Sequence, residues 1–315
     1  MFEHPPQIIF RSSSMLSTHH LVFLEVARQR SFSRASQVLF ISQPAISKHI
    51  KFLENYYKCR LFERKGIQIQ ITPAGKLLME RLLYVKNIQE ETEFQITSIS
   101  NEIEAKGTMK LGASTTVALY ILPRILSIFH KKFPQLEISL LNRNSEIVLA
   151  ALIDQEINLG IVEQRSKLTN IVYHPFINDK VIAVCNKNSP IAKKKSYPLS
   201  AIVNMPVALR ERGSGTLDAL QFSLAKNKIS LNQLNVKVRL GGTEALKNFL
   251  VESELLGFLP KRSVLKELAD KTLTEINFEG LNIERNFYFI QRKGESSELT
   301  KAFIKIAKTY HNLRL

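Results

Sequence analysis

The sequence predicts a multidomain chain: an α-rich head with a small two-stranded wing, one long helix, and a large α/β unit. Three observations predict it. Short helical patterns fill Ser17 to Tyr57 and give way to two alternating runs around Gly66; neither proline nor glycine interrupts the stretch from Lys76 to Lys106; strand and helix patterns then alternate from Thr108 onward. At 315 residues the chain exceeds one typical domain, and its 44% apolar content is ample for ordinary cores.

Bulk numbers narrow the field. The 44 Lys and Arg against 28 Asp and Glu leave +16, which calls for an anionic partner without separating nucleic acid, anionic membrane and acidic ligand. The two cysteines, Cys59 and Cys185, match no disulfide framework or metal-ligand spacing and read as free thiols of a reducing cytoplasm. No metal and no cofactor is expected. No apolar run approaches the roughly 18 residues of a membrane span. Residues 1–14 carry His4-Pro5-Pro6 and lack the apolar centre of a secretory signal, while the helical pattern begins just after Met15. They are expected to be a disordered leader or a misassigned start ahead of a natural Met15.

Each head element has a local cause. Leu21, Leu24 and Ala27 keep helical spacing; Ser31 is suited to cap a short helix that turns Ala35, Val38 and Leu39 inward; Phe40-Ile41 makes a tight connection. Ser42 then caps a helix whose first turn holds Pro44, where a missing N–H costs nothing, and which runs to about Asn55. Its stripe Ile46, Ile50, Leu53 is apolar, and its opposite face carries Gln43, Ser47, Lys48 and Lys51. A helix about 10 to 12 Å across fits a major groove about 12 Å wide, and these polar types can read base edges there. An ordinary amphipathic surface helix would show the same stripe. The surroundings favour DNA: Ser17 to Gly75 holds nine Lys and Arg against Glu25, Glu54 and Glu63. Leu61 to Gly66 and Ile67 to Ile71 read as a wing that sets Arg64 and Lys65 beside the phosphate backbone.

These residues resemble the LysR-type transcriptional regulators. The likeness runs through Phe23, Ser31-Phe32-Ser33-Arg34-Ala35, Leu39, Ser42-Gln43-Pro44-Ala45-Ile46-Ser47, Ile50, Leu53-Glu54, Leu61-Phe62-Glu63-Arg64 and Thr72-Pro73-Ala74-Gly75. The resemblance implies a winged helix-turn-helix in which Gln43, Pro44, Ser47 and Lys48 face bases, while Ser33, Arg34 and Arg64 hold phosphates. Lys51 joins them from the helical wheel alone, where a solvated charge is the competing reading. The head is bounded at residues 15–75.

Thr72 caps and Pro73 opens a long helix reaching about Ala105, which forms, over residues 76–106, a linker helix. Leu78, Leu82, Val85, Gln89, Thr92, Ile96, Ile99 and Ile103 alternate steps of four and three, the spacing of a dimer seam. Packing of the helix on its own domain is the competing reading. A symmetric pair would read a pseudo-palindromic double-stranded operator in successive turns of the groove. The resemblance adds assembly into tetramers and contact with RNA polymerase.

Residues 107–315 read as βαβ units over a mostly parallel sheet, with strands such as Met109 to Ala113, Glu137 to Leu141 and Leu159 to Val162, and helices near Leu119 to Lys132 and Glu146 to Asp154. The resemblance implies two lobes around a cleft, the periplasmic-binding-protein-like effector domain, with lobe I about 107–165 and 283–315 and lobe II about 166–282. Ligands of open α/β sheets sit at strand C-termini and helix N-termini, where free N–H groups favour a carboxylate, phosphate or sulfate. The candidates there are Ser114, Thr115, Thr116, Asn144, Ser145, Glu163, Ser214, Gly215, Thr216 and Thr243. Hydroxyls at such places also serve as plain helix caps, the favoured reading for Ser145. Arg210 and Arg212 flank the glycine turn and would add charge, or stand solvated; Glu163 would close the cleft, bind a ligand hydroxyl or lie on the surface. The Gly-Ser-Gly-Thr and Gly-Thr-Glu-Ala stretches resemble the branch linked to cysteine and sulfur metabolism or carbon fixation.

Other classes fit less well. No nucleophile with its base, no His-x-x-x-His pair, no P-loop and no complete dinucleotide fingerprint appears, so an enzyme is not expected. A solute-transport receptor would lack the basic head, and a nucleoid binder would have no use for the large α/β unit. The expected molecule is a cytoplasmic DNA-binding regulator controlled by a small anionic metabolite, with no membrane partner.

Overall fold

The computed structural model describes residues 15–65, 68–100, 105–163, 168–295 and 297–311, without the side chains of 64, 65, 68 and 100. The expected leader and the wing tip at Gly66-Ile67 lie outside the described residues. Two compact units divide the chain at Ile96 and Thr97.

In the first unit, α1 (Thr18–Gln29), α2 (Phe32–Leu39) and α3 (Gln43–Tyr57) precede β1 (Phe62–Lys65), β2 (Gln68–Ile71) and α4 (Pro73–Ser100). The caps are those the sequence predicts: Ser31 Oγ accepts from Arg34 N–H, Ser42 Oγ from Ala45 N–H, and Thr72 Oγ1 from Gly75 N–H. Phe40 closes α2 with φ 53, a left-handed residue that is not glycine, so the turn into α3 is paid for in backbone strain. Val22, Phe23, Val26, Ala35, Leu39, Ile46, Ile50, Leu53, Leu61 and Phe62 form one core, with the Phe23 and Phe62 rings 5.3 Å apart. Burying each such large side chain contributes about 1.5 to 3 kcal/mol. The wing pairs antiparallel, Phe62 opposite Ile71, and Glu54 of α3 holds its base by accepting from the N–H groups of Leu61 and Phe62.

The linker helix corrects one expectation. Leu82 is buried in the head core, and Leu78, Met79 and Val85 pack against the same core, so the first half of the expected seam is spent inside its own unit. The three-helix head leaves an open side, and α4 is the element that covers it. The large apolar groups left exposed on α4 are Ile96 and Ile99, which belong to the expected stripe, and Leu77, Tyr84 and Ile88, which do not. Thr92 Oγ1 bonds back to Ile88 O, and Gln89 accepts from Met15 N–H. Ile103 lies outside the described residues. The helix is described as far as Ser100, and residues 101–104 of the expected linker lie outside the described residues.

In the second unit, β3 (Gly107–Ser114), α5 (Thr115–Tyr120), α6 (Leu122–Lys132), β4 (Leu136–Arg143), α7 (Ser145–Ile153) and β5 (Leu159–Val162) build a parallel three-strand sheet in the order β4-β3-β5. The single helix expected near Leu119 to Lys132 is two, broken ahead of Pro123. Next come β6 (Ile171–Asn186), β7 (Ser196–Tyr197), β8 (Pro206–Arg210), α8 (Gly215–Lys226), β9 (Asn235–Leu240), α9 (Thr243–Val251), β10 (Leu256–Pro260), α10 (Leu265–Ala269) and β11 (Leu273–Phe278), and β12 (Ile283–Arg292) and α11 (Glu298–Tyr310) end the described fold. A second parallel set, β10-β8-β9, mirrors the first. The sheet is therefore mixed: β12 and β6 run antiparallel between the two parallel sets, and their length carries them from one lobe into the other. Gly107 and Thr108 already belong to β3. Cys185 is buried in the second lobe, and burial pushes its thiol up to about 11.

Gly75 tests the seating of α4. A Cβ there would lie 2.3 Å from Leu61 O and 2.7 Å from Ile71 Cγ1, both in the wing. Gly75→Ala is expected to destabilise the head by roughly 1 to 3 kcal/mol. Urea unfolding followed by circular dichroism measures it, and an unchanged midpoint would refute the tight seating.

Candidate DNA-reading face and interlobe site

Helix α3 keeps its two faces. Ile46, Ile50 and Leu53 are buried; Gln43, Pro44, Lys48 and Lys51 are exposed and Ser47 is half-buried. Gln43 Nε2 donates to Ser47 Oγ at 3.4 Å, so the two candidate readers stand together one turn apart. Ser33 and Arg34 are exposed in the first turn of α2. Arg64 lies in β1 opposite Ile69, and its side chain falls outside the described part. Sequence reasoning missed a histidine contact here: His19 of α1 meets His49 of α3 with 2.9 Å between their Nδ1 atoms, and the His19 ring stacks on Phe52. Burial, then the neighbouring charges of His19 and Lys48, hold His49 below its ordinary value.

The interlobe site is organised by two buried arginines. Arg285 of β12 and Asp179 of β6 are direct cross-strand partners, and the guanidinium Nε and Nη2 donate to Asp179 Oδ2 at 3.0 and 2.8 Å. Nη1 donates to Glu163 Oε1 at 3.0 Å and Thr216 Oγ1 at 2.8 Å, and Nη2 also donates to Thr116 Oγ1 at 3.0 Å. Arg285 is 4% exposed and Glu163 3%. Arg262 covers the outer side of Asp179 at 2.7 Å.

Arg210 forms the second node. Its Nη1 donates to Thr243 Oγ1 at 2.7 Å and its Nη2 to Thr115 Oγ1 at 3.3 Å, and the two threonine hydroxyls are 3.2 Å apart. Glu211 pairs with the same guanidinium at 2.7 and 2.8 Å. Burial pushes the Glu211 carboxyl up, but Arg210 and the Gly242 N–H outweigh it and hold the group below its ordinary value.

The ten expected site residues converge on this arrangement. Thr115, Thr116, Thr216 and Thr243 touch the arginines, and Glu163 joins Arg285 to Ser145 Oγ, which donates to Glu163 Oε2. Ser145 is therefore no cap: Asn144 caps α7 by accepting from Ile147 N–H, and its Nδ2 donates to Arg212 O across the lobes. Ser114 and Ser214 stand at the starts of α5 and α8 without making cap bonds, both buried, and Ser114 Oγ has no hydrogen-bond partner among the described residues. Gly215 is required by close approach, since a Cβ there would lie 2.5 Å from Glu163 Cδ. Arg210 is buried rather than solvated, and Glu163 lies inside the site rather than on the surface.

Arg285 and Asp179 were missed. The signal was present: Arg285 shares strand parity with Ile283, Phe287 and Phe289, all buried, so alternation places it inward. Among the described residues no group of three His, Cys, Asp or Glu could hold a metal ion. No helix of the described residues is long and apolar enough to cross a membrane.

Comparison with known proteins agrees with this layout. Residues 18–76 match the model of the bacterial regulatory helix-turn-helix protein, lysR family, and residues 103–311 match the LysR substrate binding domain. A probable RuBisCO transcriptional regulator of Thalassiosira pseudonana is 28% identical over 287 residues, covering 90% of this chain and 92% of the relative. The HTH-type transcriptional regulator CysL of Bacillus subtilis is 24% identical over 294 residues, covering 93% and 97%. Among solved structures, the Synechocystis CcmR regulatory domain in complex with 2-PG is 25% identical with a TM-score of 0.59, covering 65% of this chain and 97% of that domain.

Two outcomes test the interlobe network. Arg285→Met leaves Glu163 and Asp179 buried without their shared cation and is expected to cost roughly 3 to 5 kcal/mol. An unchanged urea midpoint for the second unit would contradict it. Asp218, in the first turn of α8, is held above its ordinary value by burial and then by Glu163 and Glu146. A raised folded-state value means the charged form opposes folding, so the Asp218 contribution is present below the unfolded carboxylate value and is lost as pH rises through the folded one. Asp218→Asn should raise the melting temperature at pH 7, with the gain shrinking towards acid pH. A melting temperature that falls at neutral pH would reverse the assignment.

Proposed function

This chain belongs to the LysR family of bacterial regulatory helix-turn-helix proteins, and on that premise we propose which of its residues read DNA and which receive the effector. As a member it is a DNA-binding transcriptional regulator with a C-terminal effector-binding domain, a family of regulators and not of enzymes.

In the head, Gln43, Pro44, Ser47 and Lys48, with Lys51 on the same face, meet base edges in the major groove, while Ser33, Arg34 and Arg64 contact phosphates. What supports this is one exposed polar face on a helix whose other face is locked into the core. Two heads are joined through α4, whose exposed Leu77, Tyr84, Ile88 and Ile99 need cover, and they read a pseudo-palindromic operator. Dimers pair into tetramers, and transcription is set through contact with RNA polymerase in the cytoplasm. The domains proposed are residues 15–75, 76–106 and 107–315.

The observation that carries the effector reading is the convergence of threonine hydroxyls from both lobes on two buried guanidinium groups. Such a site suits a small anionic metabolite, because guanidinium forks and hydroxyls recognise carboxylate, sulfate or phosphate oxygens. The ligand shifts lobe closure, which biases the assembly and hence the spacing and bend of its DNA sites.

For the head, Gln43→Ala and Ser47→Ala should relax sequence preference, each base contact being worth about 1 to 3 kcal/mol, whereas Arg34→Ala should weaken binding to all duplexes and lower its salt dependence. The measurement is a competition titration against the protein's own sites, identified by sequencing the DNA it binds in its cell. Equal affinity of all three variants for every duplex would defeat the assignment. For the cleft, a panel of anionic metabolites that neither bound nor changed the DNA footprint would defeat effector control.

A further inference from the structure

The site between the lobes already holds an anion, and that anion belongs to the protein. The Glu163 carboxylate is pressed against Gly215, the first residue of α8, a helix of 12 residues. Ser214 makes no side-chain cap bond at this helix start. A helix N-terminus with open N–H groups is the place in a fold where an external anion is best accommodated. Arg285 and the hydroxyls of Thr116 and Thr216 complete the surroundings of this seat.

We propose that Glu163 is a built-in stand-in for the anionic group of the effector, and that the effector binds by exchange. A carboxylate, sulfate or phosphate oxygen takes over Arg285, Thr116 and Thr216, while the Glu163 carboxylate withdraws from Gly215 towards its own lobe. The proposal rests on the effector reading above and adds to it the group that the ligand must displace.

Two features make exchange the accessible route. The first is charge. Arg285, Arg210 and Arg262 are already matched by Glu163, Asp179 and Glu211, so these buried pairs leave no cation to spare. Another anion added to a buried network without a spare cation would be uncompensated, whereas one that takes over the place of Glu163 finds Arg285 already there. The second is that Arg285 keeps its cross-strand partner: two bonds to Asp179 fix the guanidinium whether or not Glu163 is present.

The donors for an incoming anion are in place as well. Thr116 and Thr216 accept from Arg285, which leaves each hydroxyl proton free to be donated. Ser114, beside Thr115 and Thr116, is buried with an unpartnered hydroxyl. Because Ser145 and Glu163 both belong to the first lobe, their mutual bond survives the exchange, and what breaks is the pair of Glu163 with Arg285 and the contact from Glu163 to α8 of the second lobe. Ligand identity is thereby coupled to lobe closure.

The test is calorimetric titration of the full-length protein with inorganic sulfate, inorganic phosphate and acetate. Glu163→Gln keeps the side-chain shape and removes the charge, and it should bind at least one of these anions about tenfold more tightly than the unmodified protein. Glu163→Asp, which keeps the charge but draws it back by one methylene, should move affinity in the same direction and serves if the glutamine variant does not fold. Anion binding by the unmodified protein that is unchanged or weaker in both variants overturns the exchange and leaves the effector reading standing. Absence of binding to all three anions by the unmodified protein and by both variants overturns the two together.

Discussion

The second unit depends on keeping one guanidinium out of water. Moving a cation of this size into a dry interior costs several kcal/mol unless every donor finds an acceptor. Arg285 meets that condition only by drawing acceptors from four places: Asp179 on the adjacent strand, Glu163 after β5, Thr116 in α5 and Thr216 in α8. No single lobe supplies them. The requirement to satisfy Arg285 is thus also the requirement that the lobes meet, and it accounts for residues that look unrelated along the chain. Threonine at 116 and 216 provides acceptors where valine would provide none. Glycine at 215 makes room for the carboxylate that balances the charge.

The head solves a different problem with the same kind of economy. A recognition helix must present polar groups at one face and still be held rigidly, and α3 has only one apolar stripe to hold it. Ile46, Ile50 and Leu53 fix its rotation, and Glu54, at the edge of that stripe, fixes the wing to it through the N–H groups of Leu61 and Phe62. Thr72 links wing and linker in turn, donating to the Arg60 and Leu61 carbonyls while accepting from Gly75 N–H. Reading face, wing and long helix are therefore positioned by one continuous set of bonds.

Much of this was legible before any coordinates. Caps at Ser31, Ser42 and Thr72 are local decisions between a hydroxyl and a few N–H groups, so short-range pattern suffices. The hydroxyl-rich strand ends could be named for the same reason. What escaped was set by tertiary competition. Leu78, Leu82 and Val85 carry the spacing of a dimer seam, but spacing cannot tell a partner's surface from the open side of the head's own core. Ser145 looked like a cap and lost that role to Asn144, because a carboxylate 18 residues away claimed its hydroxyl. Arg285 was overlooked because a charged residue in an apolar strand reads as exposed until strand parity is given precedence over residue type.

The charge of the chain takes on a sharper meaning in this light. An excess of +16 invites the idea that the ligand site is simply basic. The buried network says otherwise, since three arginines face three carboxylates there and no excess remains. The basic surplus is spent elsewhere, with nine Lys and Arg against three acids in the head, where phosphates are the natural counter-charge. Selection of an anion between the lobes must therefore come from geometry and replacement rather than from bulk attraction. A network whose arginines are all paired binds a charged guest by giving up a charge of its own, and the carboxylate that spans the lobes is the one whose surrender changes how they close.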